Sequence, residues 1–335
     1  MIYLDNETYR NDIKTAIEHT VDFEEFYRKK ILVLGATGLI GSVIIDCFLY
    51  ANQELDADIT VYAVSRSMER LIDRFGMKYE NHLNFIESDV TLLDIEVRAD
   101  YIIHAASYGH PRAFREMPVE VLLSNVIGVQ KVMDIARQNT KCRVLYISSG
   151  EVQEQVDHLT ARACYPMGKR VAETLCISYY AEYDIDVVIA RPCHTFGANA
   201  AFHDNRAATQ FLTSGAKSIH IKMYSAGRQE RSFSYVADCV SGLLTVLSKG
   251  KTGVVYGVSS GESCTIKEFA DQCAAVGKCR VESCIPTSDE KRELSPVEKQ
   301  VVSNRDLVNL GWWPAFSIEQ GIVRSIEIIR EMDGN

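Results

Sequence analysis

Short, mostly apolar runs alternate with stretches whose apolar residues recur at helical spacing. The runs at 31–34, 59–64, 83–86, 101–105, 144–148 and 186–190 have strand length and do not alternate polar with apolar positions. Between them, 42–50, 68–75, 119–137 and 165–183 read as helices. Strands that are apolar on both faces, separated by helices, predict an α/β fold: a doubly wound parallel sheet covered on both sides. Ligands of such sheets sit at the carboxyl ends of the strands, so the residues just after each strand are the informative ones. Ahead of the first strand, residues 9–28 carry Ile13, Ile17, Val21, Phe23 and Phe26 at roughly helical spacing. They predict one or two amphipathic helices packed on the domain.

The first strand runs into Gly35-Ala-Thr-Gly38-Leu-Ile-Gly41. Gly35 would permit a tight turn, Gly38 would let a phosphate approach the backbone, and Gly41 would let helix and strand pack closely. The open N–H groups of a helix start favour a pyrophosphate, held by Gly35, Thr37, Gly38, Leu39, Ile40 and Gly41. The spacing differs from the commoner G-x-G-x2-G, and taken alone it fits an ordinary tight turn equally well. After the second strand, Ser65-Arg66-Ser67 lacks the acid that would bind the adenosine ribose. Arg66 therefore reads either as a partner for the 2′-phosphate of NADP or as a solvated loop arginine. Asp89 and Val90 follow the third strand, where an adenine edge would lie. Ala105, Ala106 and Ser107 follow the fourth, small enough for a cofactor to pass.

After the fifth strand come Ser148-Ser149-Gly150-Glu151, then Tyr165 and Lys169, four apart on one helix face. Among 16 tyrosines this is the sole Tyr-x3-Lys, and its position after a strand ending in paired serines gives it weight. Tyr165 would serve as proton acceptor, helped toward the phenolate by Lys169. Ser149 would hold the reacting oxygen, and Glu151 reads either as a general acid or base or as an exposed loop carboxylate.

Composition narrows the partners. The net charge of −9 argues against nucleic acid. No apolar run approaches a membrane span, and the polar, acidic first ten residues are unlike a signal peptide. Ten cysteines without a C-x2-C pair read as reduced thiols of a cytoplasmic protein, with no metal site expected.

The ordered motifs GATGLIG (35–41), DV (89–90), HAAS (104–107), NVIG (125–128), SSGEV (148–152), YPMGK (165–169), ARPCHTFG (190–197) and GRQERSFSYVADCVSGL (227–243) resemble the extended short-chain dehydrogenases/reductases that act as nucleotide-sugar epimerases and dehydratases. RACYPMGKRVAET (162–174), DNRAATQF (204–211) and QERSFSYV (229–236) are most similar to the UDP-glucuronate decarboxylase branch. The resemblance implies a Rossmann-type domain over 30–197 with 231–260 returning to it. It implies a smaller sugar-nucleotide lobe from 198–230 and 261–335, and a helical extension at 1–29. It further implies NAD as cofactor, NADP being possible through Arg66. The substrate would be a nucleoside-diphosphate sugar oxidised to a 4-keto form, in a homodimer joined by the helices at 119–137 and 165–183.

Asn125 and Pro192 join the expected cofactor contacts, with Tyr165 and Lys169. Ser149, Gly150, His194, Arg206 and Arg231 are expected at the substrate, Arg231 on the diphosphate. The chain departs from the branch where Ser149-Gly150-Glu151 replaces Thr-Ser-Glu, His194 replaces Asn, and Phe196-Gly197-Ala198 replaces Tyr-Gly-Pro. The loop after Glu151 is shorter, with Gln153-Glu154 in place of Tyr-Gly. Decarboxylation, dehydration and epimerisation all remain open at this level. So do an NADPH-dependent keto-sugar reductase and a non-catalytic NAD(P)-sensing binder.

Overall fold

The computed structural model describes residues 2–139, 141–153, 157–200, 204–286 and 297–334. Glu154 and residues 201–203 of the expected sugar lobe lie outside them. Helix α1 (Glu7–Glu18) comes first. There follow β1 (Lys30–Leu34), α2 (Leu39–Glu54), β2 (Thr60–Ser65), α3 (Met68–Phe75), β3 (Leu83–Glu87), β4 (Tyr101–His104), α4 (Pro111–Glu116), α5 (Pro118–Gln138), β5 (Arg143–Ile147), α6 (Cys164–Tyr183) and β6 (Asp186–Pro192). The rest comprises β7 (His194–Phe196), α7 (Ala207–Ala216), β8 (Ile221–Met223), β9 (Glu230–Tyr235), α8 (Val236–Lys249), β10 (Val255–Val258), β11 (Ser263–Thr265), α9 (Ile266–Gly277), β12 (Val281–Ser283), β13 (Lys299–Gln300), α10 (Arg305–Val308) and α11 (Ile318–Asp333).

Seven strands form one parallel sheet in the order β10-β6-β5-β4-β1-β2-β3. The order reverses between β1 and β4, which opens a crevice at the strand ends. Successive residues face opposite sides, as the pleat requires. Ile31, Val33, Ile103, Leu145 and Val188 join the core on the α2 and α8 side. Leu32, Leu34, Ile102, Val144, Tyr146 and Val187 join the core under α5 and α6. Beyond this sheet, β9 carries β7 and β13 as parallel partners and β11 as an antiparallel one. Strand β8 pairs with β12. The short helix α4 and strand β10 were not among the elements the apolar pattern predicts.

The residues before β1 are built into the core. Asn6 caps α1 by accepting from the Tyr9 N–H at 2.8 Å. The buried face of α1 carries Tyr9, Asp12, Ile13, Ala16 and Ile17. Tyr9 donates to Asp46 of α2 at 2.5 Å, and Arg74 of α3 pairs with the same carboxylate. Asp12 accepts from Tyr235 at 2.6 Å and pairs with Arg324 of α11. Reciprocal capping boxes start α9 at Thr265/Glu268 and α11 at Ser317/Gln320. Trp312 is buried with its indole donating to Ser241 at 2.9 Å, and Asp238 accepts from the N–H groups of Ala315 and Phe316. No helix among the described residues is long and apolar enough to cross a membrane.

Candidate active site

The crevice begins at the glycine turn after β1. Gly35 has φ +81°, and a Cβ there would fall 2.7 Å from the backbone of Ala105 and Ala106. A Cβ on Gly41 would fall 2.3 Å from the Gly35 carbonyl oxygen. Gly38 differs: its added Cβ would meet only the Gly35 oxygen, at 3.3 Å, and otherwise open space. Gly38 is also the N-cap of α2, and no side chain caps that helix. The open first-turn N–H groups and the positive end of a 16-residue helix therefore face unfilled space, which suits a pyrophosphate. The half-buried Leu39 and Ile40 form that first turn, and Asn199 steadies it by donating to the Leu39 carbonyl at 2.8 Å.

Around the turn, the Thr37 hydroxyl lies 3.2 Å from that of Ser65. Arg66 hydrogen-bonds the Tyr108 hydroxyl and lies over its ring at 4.6 Å, so it bridges the ends of β2 and β4. Asp89 spends its carboxylate locally, accepting from Thr91 N–H at 2.8 Å and hydroxyl at 2.6 Å, while Val90 is buried against α5. Ala105, Ala106 and Ser107 are half-buried along the crevice. Asn125 is fully buried and reaches it through Ser107, whose hydroxyl donates to Asn125 Oδ1 at 3.0 Å. Pro192, at the end of β6, is buried.

The expected catalytic residues converge. Ser149 follows β5, hydrogen-bonds Tyr165, and accepts from the Glu151 N–H at 3.2 Å. Tyr165 opens α6 and stacks on Phe114 of α4, with ring centroids 4.7 Å apart. Lys169, one turn on, is buried and donates to the Ile147 carbonyl at 2.8 Å. Its Nζ lies 5.0 Å from the Tyr146 ring centroid and 5.9 Å from that of Tyr165.

Burial overrides the expected electrostatics of this pair. Removal from water and the neighbouring Glu151 charge push the Tyr165 phenol up to about 12, against a smaller lowering by Ser149, Arg206 and Arg162. Burial likewise lowers Lys169 to about 7, opposed by Glu173. Desolvation disfavours both charged forms.

The side expected to take the substrate is lined by charge. Glu151 pairs with Arg162 at 2.6 Å. Arg206 pairs with Asp204 at 2.5 Å, and its charge is felt at Tyr165 and His194. His194 meets Gln300 Oε1 at 2.6 Å, and burial is the main cause lowering its imidazole to about 4, so it is neutral at pH 7. Arg231 is buried and donates to the carbonyls of Glu230 and Val297 at 2.8 and 2.6 Å. A Cβ on Gly150 would come within 2.6 Å of Val302 Cγ2, so position 150 admits no side chain unless Val302 moves.

Sequence reasoning missed several members. Glu173 follows Lys169 by four on the same face of α6. It accepts from Ser148 at 2.5 Å and holds Arg191 through two bonds of 2.8 and 2.5 Å, clamping α6 to the ends of β5 and β6. Its spacing from Tyr165 and Lys169 was the available signal. Arg162 stands three residues before Tyr165, inside a quoted motif. Phe114 and Gln300 come from segments with no motif, and only tertiary folding brings them here.

Residues 31–259 match the NAD dependent epimerase/dehydratase family. The chain is similar to UDP-glucuronic acid decarboxylase 1 of Danio rerio, 29% identical over 321 residues that cover 91% of this chain and 74% of the relative. It is also similar to UDP-glucuronic acid decarboxylase 6 of Arabidopsis thaliana, 29% identical over 310 residues, with 88% and 86% covered. Among solved structures, its fold resembles Bordetella bronchiseptica WbmF in complex with NAD+ (TM-score 0.73, 19% identity, 92% and 98% covered). It resembles equally a double mutant of DesIV, a dTDP-glucose 4,6-dehydratase from Streptomyces venezuelae with NAD bound (TM-score 0.77, 21% identity, 91% and 98% covered). With the glycine turn, the Ser149–Tyr165–Lys169 constellation and a family match over most of its length, this chain belongs to the NAD-dependent epimerase/dehydratase family.

Proposed function

We propose that this chain is a nucleotide-sugar enzyme that removes the carboxyl group of a nucleoside-diphosphate uronate, UDP-glucuronate being the first candidate, through a 4-keto sugar. The observation that carries this reading is a single carboxylate among the described residues, Glu151, set beside the hydrogen-bonded Ser149 and Tyr165, with position 150 closed to a second one by Val302. A dehydratase of the Asp-Glu type needs that second acid. The similarity to UDP-glucuronic acid decarboxylases points the same way.

In this reading the turn from Gly35 to Gly41 holds the pyrophosphate of NAD, the small residues Ala105 to Ser107 line its path, and Lys169 holds the nicotinamide ribose. Bound NAD supplies a hydride acceptor at sugar C4, and later the donor, together with a positive charge near the phenol. Tyr165 takes the proton of the C4 hydroxyl, and Ser149 holds the same oxygen as it becomes a carbonyl. The product is a β-keto acid, so the C5–C6 bond breaks, CO2 leaves, and the electron pair passes to the C4 oxygen. Tyr165 and Ser149 stabilise that enolate by hydrogen bonds. Glu151 carries a proton to C5, after which C4 is reduced to give the nucleoside-diphosphate pentose. Arg206 and Arg231 bear on the substrate anion, and His194, being neutral, orients without donating charge.

The nucleotide domain in this reading spans 30–197 and 231–260, and the sugar-nucleotide lobe 198–230 and 261–335. A homodimer through α5 and α6 is supported by the apolar side chains these helices leave in solvent, among them Val119 (63% exposed), Leu123 (43%) and Val171 (48%). Ten free thiols support a reducing, cytoplasmic setting. The test is product analysis by NMR after incubation with UDP-glucuronate and NAD. Appearance of a UDP-pentose and CO2 supports the reading. An intact uronate, or a uronate epimerised at C4, rejects it.

A further inference from the structure

Five residues in the candidate site close a ring of contacts. Arg162 binds the Glu151 carboxylate at 2.6 Å. The Glu151 N–H reaches Ser149 Oγ at 3.2 Å, and Ser149 hydrogen-bonds Tyr165. Tyr165 stacks on Phe114 at 4.7 Å with an interplanar angle of 24°. Phe114 in turn lies under the Arg162 guanidinium at 4.8 Å. Arg162 is thus the one member that touches both the carboxylate and the aromatic stack behind the phenol. An arginine suits this place: its planar cation can stack on a ring while its edge donates to a carboxylate.

We propose that Arg162 is a positioning residue that locks Glu151 against the Ser149–Tyr165 pair and so governs the half of the reaction that follows sugar oxidation. This rests on the reading that Glu151 acts after Tyr165. Glu151 is mostly shielded, its side chain 17% exposed, and without Arg162 it has freedom to swing from its place. The first half, proton removal by Tyr165, keeps its main support from Ser149, Phe114 and Lys169, and Arg162 is the smallest of the influences that lower its phenol. One further charge faces Glu151 and remains after Arg162 is lost, that of Arg206; the Tyr165 phenol and the His194 imidazole beside it are neutral. Arg206 holds it in the pocket without fixing its direction.

The test compares wild type with Arg162→Met and Arg162→Lys, each loaded with NAD, under single turnover with UDP-glucuronate. Arg162→Met should reduce the cofactor at close to the wild-type rate and then accumulate the reduced form, with kcat lowered tenfold or more and KM changed less than threefold, a fraction of the hundredfold to ten-thousandfold that a general acid or base contributes. Arg162→Lys should recover part of the lost kcat but not the full rate, since lysine restores the charge and not the stack. An equal loss in both halves, or none, overturns the proposal. A thermal double-mutant cycle of Arg162→Met and Glu151→Gln, read without substrate, tests the pair by itself. Coupled melting shifts are expected, and additive shifts overturn the pairing whatever the substrate proves to be. If wild type fails to reduce its cofactor with UDP-glucuronate, the substrate reading fails, and the cycle still decides the role of Arg162.

Discussion

Replacing Gly38 by valine should abolish cofactor binding and leave the fold intact, whereas replacing Gly41 by alanine should lower the stability of the fold. At Gly38 the backbone is at φ −79°, which any residue adopts, so valine adds no backbone strain. Its Cβ would meet only the Gly35 oxygen at 3.3 Å, a contact relieved by a few tenths of an ångström, while its methyl groups enter the space in front of the α2 N-terminus. At Gly41 a single methyl would sit 2.3 Å from the Gly35 oxygen and 3.0 Å from its carbonyl carbon, and the turn must open to admit it. Overpacking of that kind costs about 1–3 kcal/mol. At about 2–4 °C per kcal/mol, melting should fall by roughly 2–12 °C. The assay is calorimetric melting with and without NAD. A ligand present at a hundred times its Kd stabilises the folded state by about 2.7 kcal/mol, so wild type should shift upward clearly. Gly38→Val should melt like wild type and show no shift with NAD. A wild-type shift in that variant would refute the placement of the pyrophosphate, and an undiminished melting temperature in Gly41→Ala would refute the close packing of turn and helix.

Three further outcomes follow from the geometry. Light scattering should report a dimer at micromolar concentration, and Val171→Glu on α6 should convert it to monomer; a wild-type monomer would remove the role given to α5 and α6. Arg74→Met leaves the fully buried Asp46 without its cation and should cost about 3–5 kcal/mol by denaturant titration, with α1 loosened because Tyr9 shares that carboxylate. His104 is buried with no hydrogen-bond partner at either ring nitrogen among the described residues, and burial lowers it to about 3 from 6.5. The unfolded chain therefore binds more protons between about pH 3 and 6.5, stability rises with pH across that window, and His104→Phe should flatten the slope by up to one proton. An unchanged slope would contradict the burial of a neutral imidazole.

Much of this was legible in the sequence because its cause is local. Apolar strands and helical spacing follow from burial on both faces of a parallel sheet, and the six predicted strands stand in it with ends shifted by one or two residues. The turn at Gly35 and the pair Tyr165/Lys169 depend on spacing within one element, which a sequence displays. The pKa balance of that pair was not legible, since it depends on how completely α6 is covered; burial, invisible in the motif, outweighs the neighbouring charge. Phe114 and Gln300 enter through α4 and β13, short elements held by tertiary contacts. The residues before β1 read as a helical extension, yet Tyr9 and Asp12 make buried polar contacts with α2, β9 and α11, and hydrophobic spacing alone does not announce these.

The most direct test of the account is single-turnover absorbance of reduced nicotinamide with UDP-glucuronate in Tyr165→Phe and Glu151→Gln. Tyr165→Phe lacks the proton acceptor and should form no reduced cofactor. Glu151→Gln keeps the shape without the carboxylate. It should form reduced cofactor and a 4-keto sugar and then stall, with turnover down by about a hundredfold to ten-thousandfold. Full turnover by Glu151→Gln, or cofactor reduction by Tyr165→Phe at the wild-type rate, would contradict the division of labour between these two residues.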